Sequence, residues 1–136
     1  MKYYVNFVMV RAILCYIGTS SAPTISRFVK ITFRSTNRAC ESGNLATVKF
    51  LIHECECDVN ASNSEFKQPL HVACIQGSEE VVSLLLESGS DVNSLKRNRW
   101  TALMHASSHG HASVVKLLIE KGARVEESNR EGATAL

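Results

Sequence analysis

Several features that would assign a protein class at once are missing from this sequence. Seven Gly and two Pro among 136 residues are too few for a collagen-like or low-complexity chain, and 45% apolar residues are too many for a disordered one. No run of about 18 uncharged apolar residues occurs, so the sequence does not predict a confident membrane-spanning helix. Five Cys, an odd number at low density, do not suggest the disulfide framework of a small secreted domain. We therefore expect one domain of ordinary size with free thiols, in the cytoplasm.

Acidic residues are absent from the first 40 positions, which carry six bases, whereas residues 41–136 hold nine bases and thirteen acids. This asymmetry predicts two regions, a basic and apolar leader over residues 1–35 and a mildly acidic body. The leader fits a secretory signal or an organelle presequence in part. It also fits a segment that covers the first structural unit through apolar residues between Ile25 and Phe33, or a disordered extension. Targeting would make the location an organelle or the secretory route, and a membrane contact is expected only through residues 1–22.

The body of the chain repeats itself every thirty-three positions. The segment Gln68–Ala73 aligns with Thr101–Ala106, and Gly77 and Gly89 recur in phase as Gly110 and Gly122. A degenerate copy lies upstream and includes one inserted residue near Cys55. A recurrence of this kind predicts a repeat architecture.

Each unit is expected to form two short helices. Thr101 can cap the first helix of its unit, and Pro69 suits a first helical position because its missing N–H would be unpaired there. Gly77 and Gly110 are suited to the left-handed residue that ends such a helix. Helices this short are marginal alone in water, so their stability must come from stacking on neighbouring units.

These residues resemble the ankyrin repeat family over about residues 36–136, although Gln68 stands where the family has Thr and Met104 where it has His. The resemblance implies an all-α solenoid with short hairpin fingers, divided into residues 36–62, 63–95, 96–128 and an incomplete unit at 129–136. It further implies a non-catalytic module without cofactors that binds another protein through its finger tips and the exposed ends of its first helices. Carried over through the register, the partner-binding candidates are Ser64, Glu65, Lys67, Ile75, Gln76, Arg97, Asn98, Trp100, Ser108 and His109.

The finger between the second and third units, Lys96–Trp100, combines bases with an aromatic residue. Trp and Arg are enriched at the centres of protein interfaces, which favours contact with a protein. A solvated loop with Trp100 lying on the neighbouring repeat is the main alternative, and stacking on nucleic acid is a weaker one because the body is not basic.

Two clusters could carry chemistry. A zinc-type set comprises His53, Cys55, Cys57, His71 and Cys74, but it lacks the usual C-x2-C spacing. His105, His109 and His111 bracket a helix end, where we expect solvated imidazoles. No nucleophile or carboxylate pair is placed by the register, so we expect no enzyme, and a zinc-dependent or catalytic protein ranks behind a targeted or membrane-tethered adaptor.

The last unit shows a Thr-Ala-Leu start at residues 134–136. We expect an uncapped apolar face at Val114, Leu117 and Leu118, a chain that is a piece of a longer repeat protein, and marginal stability.

Overall fold

A computed structural model of the protein describes residues 34–136 and shows three successive helical hairpins. Residues 34–42 (α1) and Leu45–His53 (α2) form the first, and Pro69–Gln76 (α3) and Glu79–Glu87 (α4) form the second. Ala102–Ser108 (α5) and Ala112–Glu120 (α6) form the third. Between α4 and α5 the strands Leu95–Lys96 (β1) and Trp100–Thr101 (β2) pair antiparallel around a 3-10 turn at Arg97–Arg99. The predicted all-α repeat solenoid is confirmed.

The helices begin and end where local chemistry supplies partners for their terminal backbone groups. Thr101 Oγ1 accepts the N–H of Met104 at 3.1 Å, as the sequence predicts. Before α3, where Gln68 replaces a hydroxyl residue, Nδ1 of His71 accepts the N–H of Gln68 at 3.1 Å. Gly77 ends α3 at a φ of 77°, in the left-handed region that glycine enters without strain.

Neighbouring hairpins stack side by side, inner helix on inner helix and outer helix on outer helix. Helix α3 packs on α5, and α4 packs between α2 and α6. Side chains of the three hairpins share one core. Its largest fully buried apolar members are Val48, Leu70, Val72, Val81, Val82, Leu85, Leu103, Val114 and Leu118. Burial of each such side chain contributes roughly 1.5–3 kcal/mol, so stacking supplies the stability that the isolated short helices lack.

Asparagine side chains bridge each repeat to the next. Asn60 Nδ2 donates to the carbonyl oxygen of Gly89 at 2.9 Å, and its Oδ1 accepts the N–H of Asp91 at 2.9 Å. Asn93 repeats the pattern in the next unit, with the carbonyl of Gly122 at 3.3 Å and the N–H of Arg124 at 2.8 Å. These paired bonds fix the register of successive turns across the stack.

The apolar face expected on the third hairpin lies on other residues than the sequence predicts. Val114 and Leu118 are fully buried and Leu117 is half-buried, because they face the core. The exposed apolar side chain of this hairpin is instead Ile119, which lines an open groove of about 480 Å³ together with half-buried Val115, Ser107 and His111.

The expectations for the leader, including packing by Ile25, Phe28, Val29 and Phe33, fall on residues outside the described part. Within residues 34–136, no helix has the length and apolar character needed to cross a bilayer.

Candidate functional site

The finger tips of adjacent repeats are joined through their backbones. The N–H of Arg97 donates to the carbonyl of Glu65 at 2.9 Å, and the N–H of Arg130 donates to the carbonyl of Asn98 at 3.0 Å. The two donors hold equivalent positions in successive repeats, as do the two acceptors, so the same contact recurs from finger to finger. The tips therefore form one continuous row along the stack.

Asparagine side chains shape the outer two of these three fingers. Asn63 Oδ1 accepts the N–H groups of Glu65 and Lys67 at 2.9 and 3.0 Å, and Asn129 Oδ1 accepts those of Glu131 and Ala133, each at 2.9 Å. Such bonds replace backbone turn contacts and hold a tight loop. Lys96 occupies the equivalent position of the middle finger, where the chain instead forms the 3-10 turn.

A left-handed residue recurs at the tip of every finger. Phe66 has a φ of 57°, Arg99 of 62° and Gly132 of 82°, and the three hold equivalent positions in successive repeats. Only Gly adopts this conformation freely, so Phe66 and Arg99 are held there at a cost in strain. Phe66 is 63% exposed, and the other two Phe and Trp residues of the described range, Phe50 and Trp100, are half-buried. The predicted partner-binding set does not include Phe66. The sequence signal that could have found it is its position in the repeat register, between the predicted residues Glu65 and Lys67.

Trp100 packs at the base of the middle finger. Its ring stacks on that of His105, with centroids 4.9 Å apart and planes at 30°, and its side chain is half-buried against the core. The ring contact therefore lies within its own repeat, whereas the alternative predicted from the sequence places Trp100 on the neighbouring one. Trp100 contributes to both the surface and the stability of the finger, so removing it would not probe binding alone.

The predicted set of three solvated histidines at the end of α5 is wrong for two of them. His105 is only 7% exposed and meets the ring of His71 edge-on at a centroid distance of 5.9 Å. His111 reaches back across the repeat boundary, where its Nε2–H donates to the carbonyl of Ile75 at 2.9 Å. Only His109 is exposed as expected, with its Nδ1 2.9 Å from the carbonyl of His105.

Burial keeps His71 and His105 neutral at ordinary pH. It lowers the pKa of His71 to about 4, partly offset by the bond from Nε2–H to the carbonyl of Ser94 at 3.1 Å, while Lys96 and Lys67 lower it further. Burial also lowers the pKa of His105 to about 3, followed by the effects of His71 and Lys96. Both ring nitrogens of His71 are engaged, so this residue is not free to ligate zinc. Across residues 34–136, no three His, Cys, Asp or Glu side chains come together as a metal site.

The structure brings most predicted site residues to one side of the stack. Exposed among them are Ser64, Glu65, Gln76, Arg97, Asn98, Ser108 and His109. Lys67, Ile75 and Trp100 are half-buried. The arrangement offers backbone-anchored tips, polar helix ends and aromatic surface, a chemistry suited to binding.

Comparison with known proteins places this geometry in a family. The family model for ankyrin repeats, in three copies, matches residues 36–136. Notch-regulated ankyrin repeat-containing protein of Homo sapiens is 32% identical over 90 residues, which cover 64% of this chain and 73% of the relative. Its Danio rerio counterpart, form A, is 33% identical over 90 residues, or 64% and 72% of the two chains. Protein fem-1 homolog C of Bos taurus is 34% identical over 63 residues, which cover 46% of this chain but 10% of that protein. The chain belongs to the ankyrin repeat family.

Proposed function

We propose that this chain is a non-catalytic adaptor that binds a partner protein through its row of finger tips and the adjoining ends of its inner helices. Ankyrin repeats are generally protein–protein interaction modules and typically not enzymes. The observation that supports this surface is the pair of backbone bonds, Arg97 to Glu65 and Arg130 to Asn98, which join separate fingers into one row. A rigid, continuous surface loses little conformational entropy when a partner binds.

Blocking substitutions on two sides of the stack test the proposal. Tyr at Ser64 and Gln76, both exposed, would obstruct a finger tip and an inner helix end without adding charge. Tyr at Ala46 and Ser113, exposed on the outer helices α2 and α6, makes the matched control. Each variant serves as bait in quantitative affinity capture beside the unaltered chain.

We expect the Ser64→Tyr/Gln76→Tyr bait to lose the proteins that both the unaltered chain and the control retain. Helical circular dichroism should be the same for all three baits, because the four sites are exposed. If the Ser64→Tyr/Gln76→Tyr bait retains every captured protein and the Ala46→Tyr/Ser113→Tyr bait loses them, the interface lies on the outer helices and the proposal is refuted.

We also propose the cytoplasm as the compartment. The four cysteines in the described range, Cys40, Cys55, Cys57 and Cys74, are free thiols, which suits a reducing environment. Imaging of the chain with a carboxyl-terminal fluorescent fusion tests this, and signal confined to an organelle or the medium would contradict it.

A further inference from the structure

Charge is divided between the finger side and the outer side of the second repeat. The fingers and inner helices at residues 63–76 and 95–109 contain four bases, Lys67, Lys96, Arg97 and Arg99, and a single acid, Glu65. The outer helix and turn at residues 77–94 contain four acids and no base. The finger side of these two repeats is therefore positive, and the outer side of the second repeat is negative.

Two lysines lie on the same surface as the aromatic ring of the middle finger. Lys96 is the direct antiparallel partner of Trp100, so the two side chains point to one face of the hairpin. Lys67 holds the position on the preceding finger that Trp100 holds on the middle one. Both lysines lower the pKa of the buried His71 and His105, and no carboxylate is among the groups that shift these pKa values.

Three of the four bases on this surface, all but Arg99, form no ion pair with a carboxylate among the described residues. The ion pairs found within residues 34–136 join Arg99 and Arg124 to Glu127, at 3.2 and 3.3 Å, and Lys116 to Glu120 at 4.0 Å. Lys67, Lys96 and Arg97 take part in none of them, and the sequence before the described range contains no acid. We call the three bases, together with the adjacent rings of Phe66 and Trp100, the basic finger face.

We propose that the basic finger face binds an acidic segment of a partner protein, with Asp or Glu side chains against the three bases and an apolar residue against Phe66 and Trp100. The proposal rests on the proposed function and specifies the partner's chemistry. Charge complementarity guides such an encounter and selects among partners, while exposed aromatic surface supplies apolar contact. A nucleic acid is disfavoured because Glu65 and Glu131 lie in the row of finger tips that a continuous phosphate backbone would follow, and residues 41–136 carry more acids than bases.

Defined probes can test this with the unaltered chain, because Trp100 is its single tryptophan and lies in the surface. The probes are a ~12-residue peptide rich in Asp and Glu with a central Leu-Phe pair, the same peptide with Asn and Gln, and a ~12-nucleotide single-stranded RNA. Trp100 fluorescence and calorimetry report binding. We expect the acidic peptide to bind at least ~10-fold more tightly than the amide peptide, and more weakly as salt rises. Tighter binding of the RNA, or equal binding of the two peptides, would overturn the proposal.

Removing three positive charges from one side of the stack or the other distinguishes binding at the basic finger face from nonspecific electrostatic attraction. Lys67→Gln/Lys96→Gln/Arg97→Gln should weaken binding of the acidic peptide by ~10-fold or more. The control Lys49→Gln/Lys116→Gln/Lys121→Gln removes the same charge from exposed positions on or next to the outer helices and should change it by less than ~2-fold. Equal losses in both variants would refute the proposal. If acidic peptides fail but the Tyr variants of Ser64 and Gln76 still abolish partner capture, the proposed function stands and only the acidic partner is excluded.

Discussion

The contact between His111 and Gly77 makes a sharp prediction about how the repeats hold together. A methyl group at Gly77 would lie 2.6 Å from Cε1 of His111, whereas one at Gly110 would meet nothing within 4 Å. The two glycines have nearly the same φ, 77° and 74°. Gly110→Ala therefore measures the backbone strain alone, and Gly77→Ala measures the same strain plus displacement of the imidazole.

The magnitudes follow from the contacts. A non-glycine residue in the left-handed region costs about 1–2 kcal/mol, so Gly110→Ala should lower the free energy of unfolding by that amount. Gly77→Ala should lower it by about 1 kcal/mol more, because the displaced ring of His111 loses its 2.9 Å bond to the carbonyl of Ile75. In a His111→Ala background the extra loss should vanish, and Gly77→Ala should then match Gly110→Ala.

Urea unfolding is followed by helical circular dichroism and Trp100 fluorescence. It supplies the free energies of unfolding of the unaltered chain, Gly77→Ala, His111→Ala and the double variant, which form a double-mutant cycle, and of Gly110→Ala as the reference. Equal losses for Gly77→Ala and Gly110→Ala in the unaltered chain would refute the proposed role of His111. So would an extra loss at Gly77 that persists after His111 is removed, since another contact would then be responsible.

Three further outcomes are expected. Asn60→Ala should lower the free energy of unfolding by about 1–3 kcal/mol, because both bonds of its inter-repeat bridge are lost; an unchanged free energy in urea melts would contradict this. Because burial lowers the pKa of His71 and His105 below the ordinary 6.5, the unfolded chain binds more protons below that pH. Between about pH 6.5 and 8 stability should be flat, because the buried thiols of Cys40 and Cys74 lower it only as the pH passes the ordinary thiol pKa of 9.0. It should fall from pH 6.5 down to about pH 4, by up to roughly 1.4 kcal/mol per pH unit for each histidine, with a smaller slope in His105→Phe; a pH-independent series of melts over that range would refute the assignment. Phe66→Gly should leave stability unchanged or raise it by about 1 kcal/mol, as relief of strain at a φ of 57° predicts, and a large loss in the same assay would show that the exposed ring packs in the fold.

The features that the sequence predicted correctly are those whose cause lies within one repeat. The left-handed Gly77 and the capping hydroxyl of Thr101 act on backbone groups a few residues away, so spacing alone located them. His71 was recognisable as a pattern residue. The bond that its Nδ1 accepts from the N–H of Gln68 was not, because that required the side-chain geometry.

The features that were missed depend on contacts between repeats. His111 was expected in solvent but bonds Ile75 of the preceding repeat, and His105 was expected in solvent at a helix end but is buried against the ring of His71 in the preceding repeat. The recurrence of Asn60 as Asn93 was visible in the repeat register. Its meaning was not, because each side chain bonds the turn of the following repeat, which is distant in the sequence.

Strain and charge coincide at the finger tips, and this links the two proposals. A stack selected for stability alone would carry Gly at all three left-handed tip positions, as it does at Gly132. Phe66 and Arg99 occupy the other two at a cost of about 1–3 kcal/mol each. Arg99 is paired with Glu127 across the fingers, so its guanidinium helps to hold the row together. Phe66 is largely exposed and lies on the proposed basic finger face, so the proposal that this face binds a partner would account for retaining a strained residue there.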